Sequence, residues 1–111
     1  MKIAIPTVEG KLALHFGHCR VFTIIETDDQ GNIVSAADEV PPAHQPGVLP
    51  AWLSEAGADV IIAGGMGQRA QQLFAGYGIE VVTGAQAADP QDIAKQYIDG
   101  VLETGGNICD H

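Results

Sequence analysis

The stretch Asp59-Val60-Ile61-Ile62-Ala63-Gly64-Gly65-Met66-Gly67 decides the fold class. Residues 59–63 form a mostly apolar run, which is typical of a strand buried on both faces of a sheet. The glycines that follow lead into a predicted helix at residues 68–75. A buried strand that passes through a glycine turn into a helix is the unit of a parallel α/β sheet, so the sequence predicts an α/β domain.

The rest of the chain supplies the other elements of a mixed five-stranded sheet flanked by helices. The turn-forming residues 28–32 predict an antiparallel hairpin, whereas helical crossovers make the last strands parallel to the first. The element order is β-β-β-α-β-α-β-α. We expect one domain over residues 1–104 and a flexible tail over residues 105–111. The strands are predicted at residues 3–5, 21–27, 33–40, 59–63 and 79–83, and the helices at residues 48–56, 68–75 and 90–102.

Length and charge limit the classes of protein to which the chain can belong. Its 111 residues are enough for one hydrophobic core. The net charge of −9, from five Lys+Arg against fourteen Asp+Glu, argues against binding to nucleic acid or to an anionic membrane. No run is long enough to span a bilayer and the first residues lack the pattern of a signal peptide, so we expect a cytoplasmic protein. Cysteines in that compartment are expected to be free thiols.

A metal-binding pattern precedes the second predicted strand, in His15-Phe16-Gly17-His18-Cys19-Arg20. Imidazole and thiolate are the donors that thiophilic metals select. A turn-like backbone would bring them to one side, because residues three and four apart share a face. Such a short pattern also occurs without a metal. The predicted metal ligands are His15, His18 and Cys19.

The glycine-rich turn at residues 64–67 predicts a site for an anionic ligand. In open α/β sheets, ligands bind where the carboxyl end of a strand meets the N-terminus of the next helix. Glycines let backbone N–H groups approach an anion, and a nearby arginine can add a charged donor. The alternative is a tight turn with no ligand, in which the methionine only fills a gap. The predicted ligand-contacting residues are Gly64, Gly65, Met66, Gly67 and Arg69.

Two further segments carry metal-binding residue types. His44 lies between Pro42 and Pro46, in a loop that the prolines stiffen, and we include it among the ligand-contacting residues. Cys109 and His111 form a second pair of soft donors near the end of the sequence. That pair either folds back over a site or belongs to a flexible tail without a role.

Several motifs follow one another in a fixed order along the chain, namely His15-Phe16-Gly17, Phe22, His44, residues 57–67, Ala70, Phe74 and residues 78–84. This ordered set resembles the dinitrogenase iron–molybdenum cofactor family over nearly the whole chain. The resemblance implies a ribonuclease-H-like α/β fold without the acidic catalytic residues of the nuclease, and a role in binding a metal–sulfur cluster. It places the family's histidine at His15 and its glycine-rich loop at residues 64–67. His18 and Cys19 depart from the residues that many relatives carry there, which either adds ligands or changes the preferred metal.

Three functional hypotheses follow. The first is a binding protein, not an enzyme, that holds an iron–sulfur or molybdenum–iron–sulfur cluster and passes it from a donor protein to an acceptor protein. The second is an enzyme in which Cys19 is the nucleophile or redox thiol and His15 or His18 is the base. The third is an anion or nucleotide sensor that uses residues 64–67. We favour the first, because no paired carboxylates and no third member of a catalytic triad are visible in the sequence.

Overall fold

The structure is a computed structural model that describes residues 1–13, 21–42 and 47–105. Three helices and six strands make up this part of the chain. Within it, no helix is both long enough and apolar enough to cross a membrane. The elements are β1 (Lys2–Val8), β2 (Lys11–Leu12), β3 (Val21–Thr27), β4 (Ile33–Glu39), α1 (Val48–Glu55), β5 (Val60–Ile62), α2 (Gln68–Gly76), β6 (Glu80–Val82) and α3 (Pro90–Ile98).

The strands form one mixed sheet in the order β4-β3-β1-β5-β6, with β2 paired to β1. β3 runs antiparallel to β1 and to β4, whereas β5 is parallel to β1 and β6 is parallel to β5. The predicted mixed α/β sheet with its hairpin and parallel strands is confirmed. The sheet has six strands rather than five, because the backbone turns at Glu9 and Gly10, both with positive φ, and returns along β1 as β2. A two-residue strand is too short to leave a sequence pattern.

The side chains of the central strands alternate between two apolar layers, one on each face of the sheet. Helices α1 and α2 cover one face and α3 covers the other. Each large aliphatic or aromatic side chain buried here stabilises the fold by about 1.5–3 kcal/mol. On the first face lie Ala4, Phe22, Leu49, Leu53, Ile61 and Phe74. On the second lie Ile3, Ile5, Leu12, Ile25, Val60, Ile62, Ile93 and Ala94.

Helix α3 is shorter than predicted, ending at Ile98 rather than continuing to Leu102. Gly100 has a φ of 75°, in the left-handed region that stops a helix. The N–H of Gly100 donates to the carbonyl of Tyr97, and the N–H of Val101 donates to the carbonyl of Gln96. This pair of hydrogen bonds is the Schellman motif, which satisfies the last carbonyls of the helix. Helices α1 and α2 end in the same motif, with Gly57 and Gly78 at the left-handed position.

The topology brings several loops to one end of the sheet, which we call the carboxyl end because β1, β5 and β6 all finish there. β3 begins at this end, since Val21 pairs with Thr7 near the end of β1. β4 finishes here, since its Glu39 pairs with Phe22. The following helices therefore start at the carboxyl end and run back along the sheet.

Candidate functional site

The glycine-rich turn after β5 is joined by backbone hydrogen bonds to the loop after β6. The N–H of Gly84 donates to the carbonyl of Gly64 at 2.6 Å, and the N–H of Ala85 donates to the carbonyl of Ala63 at 3.2 Å. The N–H of Gly105 in turn donates to the carbonyl of Gly84 at 2.7 Å. Three separate segments of the chain are thus linked side by side at the carboxyl end of the sheet.

The residues of the glycine-rich turn divide into a buried and an exposed part. Gly64, Gly65 and Met66 are buried, and the Met66 side chain is fully enclosed in the core beneath α1 and α2. Gly67 and Arg69 are exposed. A ligand approaching from solvent therefore meets Gly67 and the first turn of α2, while the methionine side chain serves the core.

Helix α2 begins without a side-chain cap. Its N-cap residue is Gly67, with φ −62° and ψ 152°, and its first turn contains no acidic residue. A Cβ placed at Gly67 would meet no atom within 4 Å, so neither the backbone conformation nor the packing requires glycine here. The first N–H groups of a helix carry a partial positive charge and need acceptors. An uncapped and exposed start of this kind can accept an anionic group of a ligand.

Helix α1 begins in a similar way at the same end of the sheet. Its N-cap is Gly47, which provides no side-chain cap, and no acidic residue lies in its first turn. Its other end lies at the start of β1, where the Lys2 ammonium donates to the carbonyl of Ala56 at 3.1 Å. Two helix N-termini of the same face therefore lie at the carboxyl end without side-chain caps.

Acidic residues lie at this end at Glu9, Glu39 and Asp89, but are absent from the glycine-rich turn and from the first turn of α2. Residues 10–25, 40–54, 60–79 and 81–88 contain none of the fourteen Asp and Glu residues of the chain. Three of the five basic residues lie in them, namely Lys11, Arg20 and Arg69. An anionic ligand would therefore find local donors here despite the net charge of −9.

The predicted metal ligands lie outside the described residues. His15, His18 and Cys19 fall in residues 14–20, and His44 falls in residues 43–46. The structure does describe the residues that flank residues 14–20. On one side of residues 14–20, the N–H of Ala13 donates to the carbonyl of Pro6 at 2.8 Å; on the other side begins β3. Both attachment points lie at the carboxyl end of β1, one strand away from the glycine-rich turn, and neighbouring strands are about 4.8 Å apart.

The segment that contains His44 is attached at the same end, because it connects the end of β4 to the start of α1. The fold thus brings together the attachment points of both histidine-containing segments, the glycine-rich turn and two helix N-termini. Among residues 1–13, 21–42 and 47–105, no group of three or more His, Cys, Asp or Glu side chains could hold a metal ion. All four histidines and both cysteines of the chain lie outside these ranges.

Two ionisable groups with shifted pKa values lie at the opposite end of the sheet. Burial, reinforced by the hydrogen bond to Glu80, raises the pKa of Tyr97 to about 12. Hydrogen bonds from the backbone N–H groups of Asn32 and Gln30 lower the pKa of Asp28. Tyr97 ties α3 to the start of β6, and Asp28 closes the hairpin turn. Both groups therefore serve the fold rather than the candidate site.

The contact between Gly84 and Gly105 was not predicted from the sequence. Gly84 has a φ of 86°, and a Cβ there would collide with the carbonyl oxygen of Gly105. A glycine directly after a predicted parallel strand was a visible signal for a close approach of two backbones. Its partner, twenty-one positions later in the sequence, left no local pattern.

Comparison with known proteins identifies the family. A sequence profile described as "Dinitrogenase iron-molybdenum cofactor" matches residues 1–100. The chain belongs to this family. The resemblance inferred from the sequence motifs is thereby confirmed.

Three similar proteins match over nearly the whole of this chain. The uncharacterized protein MJ0580 of Methanocaldococcus jannaschii is 32% identical over 108 residues, which cover 93% of this chain and 90% of the relative. The crystal structure of PH0822 is similar with a TM-score of 0.85 and 29% identity, covering 94% of both chains. The apo form of the orange protein from Desulfovibrio gigas shares the fold, with a TM-score of 0.73 and 21% identity over 96% of this chain and 93% of that protein.

Proposed function

We propose that this protein binds a metal–sulfur cluster of the iron–sulfur or molybdenum–iron–sulfur type at the carboxyl end of its sheet. We further propose that it carries the cluster from a donor protein to an acceptor protein. The observation that carries the proposal is the uncapped, exposed start of α2 at Gly67, one strand away from Ala13 and Val21, which flank the segment that contains His15. Membership of a family described by an iron–molybdenum cofactor supports the identity of the ligand.

The chemistry of the proposed cargo fits the described residues. The sulfides of such clusters carry negative charge and are stabilised by N–H donors, and their potentials depend on hydrogen bonds to sulfur. Gly67 leaves the first N–H groups of α2 open, and Arg69 adds a positive charge on the same exposed turn. The glycine-rich turn and the first turn of α2 contain no carboxylate that would repel a sulfide.

In the proposal, His15, His18 and Cys19 supply the bonds to metal. Imidazole and thiolate both bind iron at a cluster edge. His44 lies in the second segment attached at this end and can add a further contact. A small number of protein ligands suits a carrier, since a cluster held by many strong bonds would leave slowly. We therefore propose a binding protein rather than an enzyme. The ribonuclease-H-like classification and the cytoplasmic location remain predictions of the same account.

The proposal is tested by reconstitution. The protein is incubated anaerobically with ferrous iron and sulfide, with and without molybdate, then desalted and examined by visible absorption and metal analysis. We expect a stable coloured complex in the wild type and at least a tenfold loss of bound iron in His15→Ala, whose far-ultraviolet circular dichroism should match the wild type. No uptake by the wild type, or equal uptake by the variant, would contradict the proposal.

A further inference from the structure

We propose that the outer edge of β4 is a docking surface for an extended basic segment of a partner protein. The segment adds to the sheet as a further strand beside β4 and places basic side chains in the groove between β4 and α1. The inference rests on the proposed function only in naming this partner as a cluster donor or acceptor. The docking itself is tested on protein that holds no cluster.

Strand β4 is a long and exposed edge of the sheet. It is the first strand in the order β4-β3-β1-β5-β6, and among residues 1–13, 21–42 and 47–105 it pairs only with β3. It has seven residues, against three in β6 at the other edge, and residues 34–39 are all exposed. Backbone N–H and C=O groups along such an edge can pair with an extended segment of another protein.

The part of β4 that a partner would pair with is regular. From Ser35 to Glu39 the register with β3 runs without interruption. The register shift between Glu26 and Thr27 of β3 lies beyond Ser35, at the hairpin end. An irregularity of this kind is one way in which proteins stop an edge strand from pairing, and here it leaves residues 35–39 open to a partner strand.

A groove of about 350 Å³ lies along the same edge, between β4 and α1. Ala37 pairs with Ile24, which packs on the apolar layer beneath α1, so Ala37 lies on the face of the sheet that α1 covers. Ile24 and Ala37 of the sheet and Trp52 and Ala56 of α1 line the groove. Because successive side chains of a strand point to opposite faces, every second side chain of an added strand would enter this groove.

Trp52 and Glu39 give the groove the chemistry that binds a basic side chain. The Trp52 ring contacts the Phe22 ring edge-to-face, with centroids 5.6 Å apart and planes at 62°, which fixes its orientation. Glu39 is exposed and forms no ion pair with any described residue. An indole and a carboxylate that line one groove attract a guanidinium group through its charge, its N–H donors and its contact with the ring.

The groove also contains a cation of its own, Lys2, but at the other end. Lys2 is paired with Glu26 in the register, and its ammonium donates to the carbonyl of Ala56 at 3.1 Å. Glu26 lies opposite Ser35, which is four residues, or about 13 Å, along β4 from Glu39. Lys2 therefore offsets the charge of Glu26 and leaves that of Glu39 for a partner.

The charge of the β3–β4 hairpin favours a basic partner over a second copy of this chain. Residues 21–40 contain five acidic residues and neither lysine nor arginine. Two copies joined along β4 would bring two such hairpins together, and each chain has a net charge of −9. A basic segment would instead be attracted before contact and paired after it. The five acidic residues are Glu26, Asp28, Asp29, Asp38 and Glu39.

A partner docked on β4 would lie close to the candidate site. β4 finishes at the carboxyl end of the sheet, where Glu39 pairs with Phe22. Three strand spacings, or about 14 Å, separate β4 from β5, which carries the glycine-rich turn. A donor or acceptor protein held at β4 would therefore have its neighbouring surface within reach of a cluster at Gly67.

The test uses the full chain without cluster and a synthetic nine-residue peptide as the probe. The even positions of the peptide are valine, its third and seventh positions are arginine, and its other positions are threonine. Trp52 is the only tryptophan of the chain, so its fluorescence reports binding in the groove. We expect a saturable change with this peptide, and binding at least about tenfold weaker when glutamate replaces both arginines. No change with the arginine peptide, or equal binding of the two peptides, would overturn the inference.

Two alanines of β4 provide matched variants on opposite faces of the sheet. Ala37 lines the groove, whereas Ala36 pairs with Ile25 and lies on the face that α3 covers, and both alanines are exposed. Ala37→Lys puts bulk and a like charge into the groove, so we expect it to weaken binding of the arginine peptide at least about tenfold. Ala36→Lys adds the same charge to the other face and should weaken binding by no more than about threefold. Equal weakening in the two variants would overturn the inference.

Pairing through the backbone is tested with the arginine peptide N-methylated at alternate positions. Neighbouring residues of a strand direct their N–H groups to opposite edges, so methylation of one alternating set blocks the pairing with β4 and methylation of the other set does not. We expect a loss of affinity of at least about tenfold with one set and little change with the other. Unchanged affinity with both sets would rule out the addition of a strand.

Further outcomes separate this inference from a second copy and from the proposed function. Dimerisation in sedimentation that Ala37→Lys abolishes would place a second copy on β4 and overturn the inference. No cluster uptake by the wild type, together with specific binding of the arginine peptide, would contradict the proposed function and leave the docking surface standing. Normal cluster uptake without peptide binding would do the reverse.

Discussion

Helices α2 and α3 begin with nearly the same backbone conformation but with opposite chemistry. The N-cap of α2, Gly67, has φ −62° and ψ 152°, and the N-cap of α3, Asp89, has φ −61° and ψ 131°. The Asp89 carboxylate accepts a hydrogen bond from the N–H of Gln91 at 2.9 Å, whereas α2 has no side-chain cap. Both helices follow parallel strands of one sheet. The backbone at position 67 would therefore accept a side-chain cap, as the backbone at position 89 does. The start of α2 is open because residue 67 is glycine.

Of the changes considered for the two helices, replacing Gly67 by a bulky residue should have the largest effect, and this effect should be on cluster binding. In Gly67→Val the new side chain covers the first N–H groups of α2, so we expect cluster uptake from iron and sulfide to fall more than tenfold. The free energy of unfolding should fall by no more than about 1 kcal/mol, because the φ at this position is negative and the Cβ meets no other atom. Urea denaturation and metal analysis measure the two quantities. Normal uptake by the folded variant would show that the open start of α2 does not contact the cluster.

Acid should weaken metal binding at the candidate site but should change the stability of the α3 face little. A histidine must be neutral to bind metal, and its reference pKa is about 6.5, so lowering the pH from 7.5 to 5.5 should weaken iron binding about tenfold. The stability of the α3 face should change little over this range, since neither α3 nor any strand of the sheet contains a histidine. Metal analysis and thermal unfolding across the pH range provide the measurement. Binding that stays constant would favour capture by thiolate and backbone alone.

Removing the cap of α3 should lower stability and leave binding intact. Asp89→Ala removes the acceptor for the N–H of Gln91, so we expect the free energy of unfolding to fall by about 1 kcal/mol. Asp92→Ala is the matched control, because it removes an acidic residue from the same first turn without removing the cap. A loss of cluster uptake in Asp89→Ala with a normal fold would mean that the ligand reaches the α3 face as well.

The smallest effect is expected at the opposite end of the sheet. Tyr97→Phe loses the hydrogen bond from the phenol to the Glu80 carboxylate, 2.8 Å long, which should cost about 0.5 kcal/mol of stability. Because the pKa of Tyr97 is raised in the folded state from 10.0 to about 12, this contribution is complete below pH 10 and is lost as the pH rises through 12. The stability difference between wild type and variant should therefore shrink from pH 10 to pH 12. Tyr77→Phe, at a half-exposed position, serves as control. A stability difference between the wild type and Tyr97→Phe that grew from pH 10 to pH 12 would contradict this account.

Most of the fold could be predicted from the sequence, because the main elements leave strong local patterns. The apolar run of β5, the turn chemistry of the hairpin and the Asp89-Pro90 start of α3 each identified an element correctly. The two-residue strand β2 and the correct end of α3 could not be predicted from the sequence. β2 is too short for a pattern, and apolar residues beyond Gly100 continued the helical spacing although the left-handed glycine had already ended the helix.

The candidate site could be predicted only in part, because some of its features depend on contacts between segments that are distant in the sequence. The glycine-rich turn is a local signal and was found, but the division into buried Met66 and exposed Gly67 depends on how α2 packs. The contact between Gly84 and Gly105 joins two distant segments and has no local signature. The metal ligands His15, His18 and Cys19 lie outside the described residues and stay predictions.

The most direct test of the central claim, that the open start of α2 holds an anionic cluster, is to give α2 the cap that α3 has. Gly67→Asp should raise the free energy of unfolding by a few tenths of a kcal/mol, because an aspartate caps slightly better than glycine. Its uncharged counterpart Gly67→Asn makes the same kind of cap and is the matched control. The account predicts that, in anaerobic reconstitution with iron and sulfide, Gly67→Asp binds less cluster than Gly67→Asn and both bind less than the wild type, with none of them less stable. Uptake by Gly67→Asp equal to that of the wild type would contradict it.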